Sequence, residues 1–237
     1  MSSPTLDSAG KLIFRLRSIA PVLVIGLVVW LSWRGHTTPL PGDAALNWVG
    51  LGLAVLGQVI RLVTIASVPP NTSLQSRRMQ ATTLNTTGPY AVVRHPLYFG
   101  NYLITFGMLC IAHTPWAWGL GLAYVFGSQW LIARTEDGLL RQKFGAEWEQ
   151  WSSEVHAFIP RLSKLSGVRG PFEWKRTIQR EVNPFVGWAS GATLLYLWES
   201  WVREQLPTQL WWTLVTVQAA LLVLLVANKV WKKVSPA

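Results

Sequence analysis

The residues best suited to chemistry begin in a short stretch, "GPYAVVRHPLYFG", which spans residues 88–100. It sets Arg94 and His95 between two tyrosines, Tyr90 and Tyr98, directly before an apolar run. A guanidinium and an imidazole donate hydrogen bonds to carboxylates, and tyrosine rings offer flat faces to cations and to other rings. These four side chains therefore suit a ligand that carries an anionic group beside a cationic or aromatic one.

A second polar stretch, "RTEDGLLRQKF", begins at Arg134 and places two acids side by side, Glu136 and Asp137. Carboxylates at these positions can receive an ammonium group or hydroxyl groups. Arg134 can pair with an anionic substrate head group, and its alternative is a basic residue that marks the inner side of a membrane. Together the two stretches provide donors, acids and aromatic faces for a ligand with several charges.

In their order and spacing, the two stretches resemble the isoprenylcysteine carboxyl methyltransferase family of integral membrane methyltransferases, whose relatives methylate phospholipid amines and small thiols. The resemblance covers residues 75–160. It implies S-adenosylmethionine as the methyl donor, held by the first stretch, by an upstream Gln and by one acid of the pair. Carried over by position, the donor-binding residues are Gln75, Thr82, Thr83, Leu84, Asn85, Tyr90, Arg94, His95, Pro96, Leu97, Tyr98 and Glu136.

The catalytic candidates are Glu136, Asp137 and Arg134, and the methyl acceptor stays open. The resemblance implies a lipophilic or small-molecule acceptor bearing a carboxylate, thiol or amine. A carboxylate needs no base, whereas a thiol, amine or phenol must lose a proton, for which Glu136, Asp137 or His95 could serve. The family has Glu where this chain has Asp137, a shorter side chain, so the role of that acid stays open.

Two residues of the first stretch have plainer alternatives. Arg94 is as well explained by an interfacial basic residue as by a ligand contact. His95 at a membrane edge could cap a helix, but its neighbours "RHPLY" favour the site, and Pro96 biases its backbone towards an extended conformation. His113 and His156 lack such company, so we expect them to be structural.

The composition predicts a membrane protein. Half of the 237 residues are hydrophobic and only 14% are charged, against roughly 25% charged in soluble domains. Since a span needs about 20 mostly apolar residues, we predict an all-α polytopic helix bundle with about six transmembrane helices. The six candidate spans are 18–33, 44–68, 97–112, 115–133, 184–202 and 206–231.

The lysines and arginines predict the orientation of these spans. With both termini cytoplasmic, the outer loops keep only Arg34 and Arg203, and the other basic residues collect inside. Arg61 lies near the inner end of the second span, where we expect its side chain to snorkel to the interface. The net charge of +10 is then a topology signal, not a nucleic-acid signal. We expect an integral protein of the bacterial inner membrane, with its site facing the cytoplasm and membrane lipids as partners.

The sequence divides into three parts: an N-terminal two-span region (1–68), a methyltransferase core with a helical hairpin and cytoplasmic cofactor-binding segments (69–160), and a basic linker with two C-terminal spans (161–237). The fourth span is predicted to continue as a helix up to a break at Gly145. A second, amphipathic helix from Ala146 to about Phe158 then lies on the membrane surface or folds back over a site.

Other classes fit the sequence less well. The sequence has no pair of histidines at helical ligand spacing and no Cys-x-x-Cys motif, so a metal site is not indicated. The pairs Gly50/Gly52 and Gly119/Gly121 are typical of close helix packing. A transporter would carry inverted repeats and midplane polar residues. The alternatives that stay open are such a transporter and a sterol-reductase-like membrane enzyme that uses NADPH. The oligomeric state is not indicated.

Overall fold

The computed structural model describes residues 26–27, 30, 42–68, 83–113, 115–167, 172–203 and 207–235. In these ranges the chain is helical and contains no strand, which confirms the all-α prediction. The helices are α1 (Asp43–Ser67), α2 (Pro89–Val92), α3 (Pro96–Ala112), α4 (Pro115–Phe144), α5 (Ala146–Glu154), α6 (Trp174–Val202) and α7 (Thr208–Val234), with a 3-10 helix at Leu162–Gly167. The predicted first span, 18–33, lies almost wholly outside the described residues.

Two of the helices, α1 and α7, are long and apolar enough to cross a bilayer by length and composition, and α3 is a shorter apolar helix. Helix α7 packs chiefly on α6, and its outward side chains include Leu222, Val223 and Val226, which are 59%, 67% and 60% exposed. A lipid environment accounts for such a surface. The number of spans and the side on which the termini lie remain predictions.

Helices α1 and α3 form the tightest helix pair of the fold because glycines face each other along the contact. A Cβ atom added to Gly50 would lie 2.5 Å from the backbone oxygen of Gly107, and one added to Gly57 would lie 2.5 Å from that of Gly100. Side chains on these four residues would push the helices apart, as expected for small-residue packing between membrane helices. The packing role predicted for Gly50 is confirmed, whereas Gly52 has no atom of the described residues within 4 Å of such a Cβ.

We expect Gly57→Ala to destabilise the protein, because its new methyl group would lie 2.5 Å from the Gly100 backbone oxygen, which cannot rotate away, and 2.9 Å from the Ile104 side chain. The matched control is Gly52→Ala in the same helix, which meets nothing and gains about 0.5–1 kcal/mol of helix propensity. Unfolding of the purified protein in detergent, followed by tryptophan fluorescence, measures both. A Gly57→Ala protein as stable as Gly52→Ala would contradict the close packing of α1 and α3.

The helical hairpin and the break predicted in the core are both present. His113 turns the chain between α3 and α4 with a left-handed backbone (φ 44°). Helix α4 then runs unbroken to Phe144, and Gly145 (φ 51°) ends it. The next helix was predicted to reach Phe158, which is wrong: α5 ends at Glu154 because the following residues are extended and hydrogen-bond to the first polar stretch.

The C-terminal half begins as a helix earlier than predicted. Residues 174–183 were assigned to a basic linker, but they form the first turns of α6, which passes through Pro184 without ending. Its start is tied to the end of α1, since the Glu173 N–H donates to Ala66 O at 3.1 Å. The buried Arg176 guanidinium also donates to Ile65 O at 3.0 Å and to Val68 O, which caps the last carbonyls of α1.

Arg61 does not snorkel to the interface as predicted. It is 8% exposed and makes a two-pronged ion pair with Glu181 of α6, with Nε–Oε2 and Nη2–Oε1 distances of 2.8 and 2.7 Å. Its remaining nitrogen, Nη1, donates to Asn101 of α3 at 2.7 Å. Because the guanidinium is bonded to a carboxylate and an amide within the bundle, it does not need water as a partner. Arg61, Glu181 and Asn101 together join α1, α6 and α3.

At the opposite end of the bundle, a second buried cluster joins the hairpin turn to α1 and α6. His113 Nδ1 lies 2.7 Å from Glu199 Oε2, and Glu199 Oε1 accepts from Arg203 at 2.9 Å. Arg203 also pairs with Asp43 at 2.5 Å. Each of these side chains has a partner in the cluster. The ionisable groups at this end of the bundle therefore serve as structural links between helices.

Candidate functional site

The two polar stretches meet where the N-terminus of α3 lies against α4. His95 is the residue before α3, and Pro96 opens the helix at its first position, where its missing N–H costs nothing. The backbone of His95 (φ −121°, ψ 66°) is not helical, but it also lies outside the extended conformation that was predicted from the following proline. The His95 ring therefore lies at the N-terminus of α3, and α4 supplies Glu136 and Asp137 opposite it.

His95 is 6% exposed and its ring lies between the two acids. Its Nδ1 is 3.7 Å from Glu136 Oε2, and its Nε2 is 3.2 Å from Asp137 Oδ1. On its faces the ring stacks on Tyr98, with centroids 5.5 Å apart, and tilts against Phe158 at 5.7 Å. The imidazole is therefore fixed in orientation, with both nitrogens directed at carboxylates.

Each acid has a second partner from the first stretch. The Tyr98 hydroxyl donates to Glu136 Oε1 at 2.6 Å, and Arg94 Nη1 donates to Asp137 Oδ2 at 3.0 Å. We call these five residues, Arg94, His95, Tyr98, Glu136 and Asp137, the polar cluster. Because charged partners strengthen hydrogen bonds, the cluster holds both carboxylates of α4 in defined positions beside the N-terminal end of α3.

The non-helical segment that follows α5, residues 155–161, packs behind the polar cluster. The N–H groups of Arg94 and His95 donate to the carbonyls of His156 and Ala157 at 2.9 and 3.2 Å, and the Arg161 N–H donates to Val92 O at 2.8 Å. These bonds run along the motif that carries Arg94 and His95. They also bring Phe158 onto the His95 ring, so the segment fixes one wall of the site.

Helix α5 covers the same wall. Its Trp151 is 8% exposed and donates from Nε1 to the backbone oxygen of Tyr90 at 3.2 Å. The Trp148 ring lies under the Arg94 guanidinium, 5.6 Å from ring centre to Cζ, a distance at which a cation is attracted to the ring. Of the two arrangements that the sequence allowed for this helix, α5 adopts the one that folds back over the site.

Tyr90, in α2, is held as a neutral phenol. Burial raises its pKa far above the ordinary value of a tyrosine, and the Glu136 carboxylate raises it further, while Arg180 acts in the opposite direction. An anionic phenolate is disfavoured both by desolvation and by a nearby negative charge. Tyr90 can therefore donate a hydrogen bond or offer its ring, but it does not act as a base.

Four buried side-chain polar atoms in this region have no hydrogen-bond partner among the described residues. They are Arg94 Nε, His95 Nε2, Asp137 Oδ1 and Trp148 Nε1. The His95 and Asp137 atoms are near each other but not aligned for a hydrogen bond. Buried polar atoms are normally paired, so two N–H donors, one imidazole nitrogen and one carboxylate oxygen match a ligand that bears both acceptors and a cationic or N–H group.

The remaining predicted residues fall into four groups. Arg134 is exposed, and its guanidinium lies 4.6 Å from the Trp130 ring centre, outside the polar cluster. Pro96 and Leu97 are buried in the first turn of α3 and contribute packing. Asn85 and Leu84 are half-buried and Thr83 is exposed in the segment before α2. The last two residues, Gln75 and Thr82, lie outside the described residues.

Sequence reasoning missed two contributors to the site. Phe158 was predicted to end a helix, yet it lies in the non-helical segment after α5 and its ring packs on His95. Arg180 was counted as a linker residue, yet it lies in α6 and is close enough to lower the pKa of Tyr90. Neither had a local signal, since both come to the site from segments far along the chain.

Comparison with known proteins places the chain among methyltransferases and their relatives. A family model described as phospholipid methyltransferase matches residues 46–147. The nickel-cobalt-cadmium resistance protein NccN of Alcaligenes xylosoxydans xylosoxydans is 30% identical over 181 residues, which cover 76% of this chain and 78% of that protein. The protein-S-isoprenylcysteine O-methyltransferase of Dictyostelium discoideum is 30% identical over 143 residues, 59% of each chain.

A third relative is the cobalt-zinc-cadmium resistance protein CzcN of Cupriavidus metallidurans, 32% identical over 136 residues that cover 57% of this chain and 56% of that protein. The chain thus spans more than half of the length of the second and third relatives but less than two thirds of it. No solved structure matches it with comparable significance. In the described part of the chain, no group of three His, Cys, Asp or Glu residues is arranged to hold a metal ion.

Proposed function

The chain belongs to the isoprenylcysteine carboxyl methyltransferase-like family of membrane methyltransferases, and from this premise we propose that it transfers a methyl group from S-adenosylmethionine to a lipophilic or small acceptor. The reaction takes place at the polar cluster, and the site faces the cytoplasm from the bacterial inner membrane. The transporter and NADPH-dependent alternatives do not follow from this family.

The observation that carries the proposal is the buried imidazole of His95 between two carboxylates, with unpaired polar atoms beside it. S-adenosylmethionine carries a carboxylate, an ammonium group and an adenine, and when bound it supplies a methyl group on a cationic sulfur. Arg94, His95 and Trp148 offer donors for its acceptor atoms, and Glu136 and Asp137 offer charge for its cationic groups. The residues therefore fit the methyl donor.

The chain's own residues orient and shield the reacting groups. Tyr98 holds one Glu136 oxygen at 2.6 Å, and Arg94 holds one Asp137 oxygen at 3.0 Å, so neither carboxylate must reorganise when a ligand binds. Helix α5 and Phe158 close the wall behind His95 and exclude water from it. Alignment and exclusion of water are the main tasks in a methyl displacement.

The acceptor decides whether a proton must be held. A carboxylate acceptor gives up none, and then the cluster acts only by position and charge. A thiol or amine acceptor releases a proton, and the two atoms with a free hydrogen-bonding position for it are His95 Nε2 and Asp137 Oδ1. Arg134 has no part in this step because it lies outside the cluster.

The experiment that tests the proposal is calorimetric titration of S-adenosylmethionine into the detergent-purified protein. We expect the wild type to bind and His95→Ala to bind at least about tenfold more weakly, since lost hydrogen bonds to charged groups are worth roughly 1.5–3 kcal/mol.

The matched control is His156→Ala, since that exposed histidine contributes its backbone carbonyl and not its side chain. Its affinity is expected to equal that of the wild type. No measurable binding by the wild type, or equal binding by His95→Ala, would end the proposal.

A further inference from the structure

Residues 159–165, which follow the wall of the site, expose apolar side chains next to basic ones. Ile159, Leu162 and Leu165 are 70%, 69% and 53% exposed. Leu162 and Leu165 lie three residues apart in the 3-10 helix, where residues at this spacing point the same way. Single exposed apolar residues are ordinary, but three within seven residues form a surface.

The same seven residues carry two cations, Arg161 and Lys164, and no acid. Both are exposed. Lys164 pairs with Glu154 at 3.1 Å, with both side chains well exposed, and the Arg161 guanidinium donates to the backbone oxygen of Glu154. Exposed ion pairs contribute little to stability, so Lys164 can exchange Glu154 for a phosphate group at small cost.

This surface is fixed in position by its neighbours. The Arg161 N–H is bonded to Val92 O, just before α3. The Phe158 ring lies edge-on to Tyr102 of α3, with centroids 5.4 Å apart. Since α3 is an apolar helix that begins at Pro96, residues 159–165 lie beside its N-terminal end, at the level where a membrane helix leaves the hydrocarbon.

We propose that residues 159–165 form a docking loop that inserts Ile159, Leu162 and Leu165 into the bilayer interface while Arg161 and Lys164 bind anionic lipid headgroups. Apolar side chains beside basic ones are the combination that holds a segment at the headgroup level, and an anionic lipid surface attracts basic residues near it. The inference goes beyond the methyl transfer and does not depend on it.

A depth measurement tests the docking loop in the full-length protein. In a Cys110→Ala background, which removes the only native cysteine, Leu162→Cys is labelled with an environment-sensitive fluorophore. The protein is reconstituted in vesicles of phosphatidylcholine and phosphatidylglycerol. We expect blue-shifted emission that is quenched when the acyl chains are brominated.

The matched control is Gln150→Cys in the same background, an exposed polar position of α5, which is expected to show water-like emission and no quenching. Quenching at residue 162 no greater than at residue 150 would overturn the proposal. A blue shift that depends on protein concentration and not on lipid would also overturn it, because a second copy would then cover the loop.

The charge component has its own test. In the labelled Leu162→Cys protein, quenching is expected to fall when phosphatidylglycerol is replaced by phosphatidylcholine, and Lys164→Gln is expected to weaken this lipid dependence. The control, Lys143→Gln, removes an exposed lysine from the end of α4 and is expected to leave it unchanged. Equal quenching in both lipids, or equal effects of the two substitutions, would contradict the role of the basic residues.

Discussion

Replacing Glu136 by Gln is expected to lower kcat/KM for methyl transfer by about 10- to 100-fold, in line with a loss of roughly 1.5–3 kcal/mol for a charged hydrogen-bonding partner. The substitution keeps the volume of the side chain and an oxygen that accepts from Tyr98, now at 2.6 Å. What it removes is the negative charge beside His95. The effect therefore reports charge and not packing.

The measurement uses radiolabelled S-adenosylmethionine with a panel of carboxylate, thiol and amine acceptors presented in lipid vesicles. Its matched control is Glu149→Gln, whose carboxylate is 56% exposed and pairs with Arg141 across the α4–α5 break. We expect that variant to keep wild-type kcat/KM, because an exposed pair contributes little. A Glu136→Gln enzyme with unchanged kcat/KM would remove Glu136 from the site.

The sequence predicts the helices of the core because each carries its own local signals. Helix α3 was expected at 97–112 and is present at Pro96–Ala112. The break at Gly145 follows from a glycine that adopts a positive φ at little cost. Apolar length and special backbone residues are properties of a few neighbouring positions, so they can be recognised without knowledge of the tertiary fold.

What the sequence could not predict depends on partners far along the chain. Arg61 was expected to extend to the interface because it lies near the inner end of a predicted span, yet it pairs with Glu181, which is 120 positions away. Helix α5 was expected to continue to Phe158, since periodicity favours it. It ends early because residues 156–161 form hydrogen bonds with the segment that carries Arg94 and His95. These are tertiary contacts, which local periodicity does not show.

The site falls between these two cases. The motif residues Arg94, His95 and Tyr98 and the acid pair could be named from the sequence, and the fold brings all of them together. The resemblance alone did not exclude Arg134, because its neighbours in sequence are the two acids. Helical geometry separates it from them: Glu136 is buried and Arg134 is exposed.

The second large effect is expected at the buried pair that ties α6 to α1 and α3. Glu181 is 3% exposed and Arg61 8%, and Gln58 also donates to Glu181 at 3.0 Å. Removing one partner of such a pair leaves an uncompensated buried charge, which costs about 3–5 kcal/mol. We therefore expect Glu181→Ala to destabilise the protein by about that amount, measured by unfolding in detergent followed by tryptophan fluorescence.

The matched control is Glu154→Ala, which breaks an exposed pair with Lys164 and is expected to cost no more than about 1 kcal/mol. The double variant Arg61→Met with Glu181→Leu separates charge from structure. It is expected to recover part of the lost stability, since two apolar side chains can replace a buried pair. It does not recover all of it, because Asn101 and Gln58 lose partners, and unpaired buried groups cost about 1–3 kcal/mol each.

The comparison of these variants also decides how the C-terminal helices belong to the enzyme. The family match ends at residue 147, before α6 begins, so α6 and α7 are open to interpretation as an appended pair of helices. If Glu181→Ala is as mild as Glu154→Ala, the pair is accessible to water and α6 is only loosely attached. If Glu181→Ala instead unfolds α1, α3 and α6 in one transition, the methyltransferase core is stable only with α6 in place. Arg61 and Asn101 then depend on an acid that the matched region does not contain.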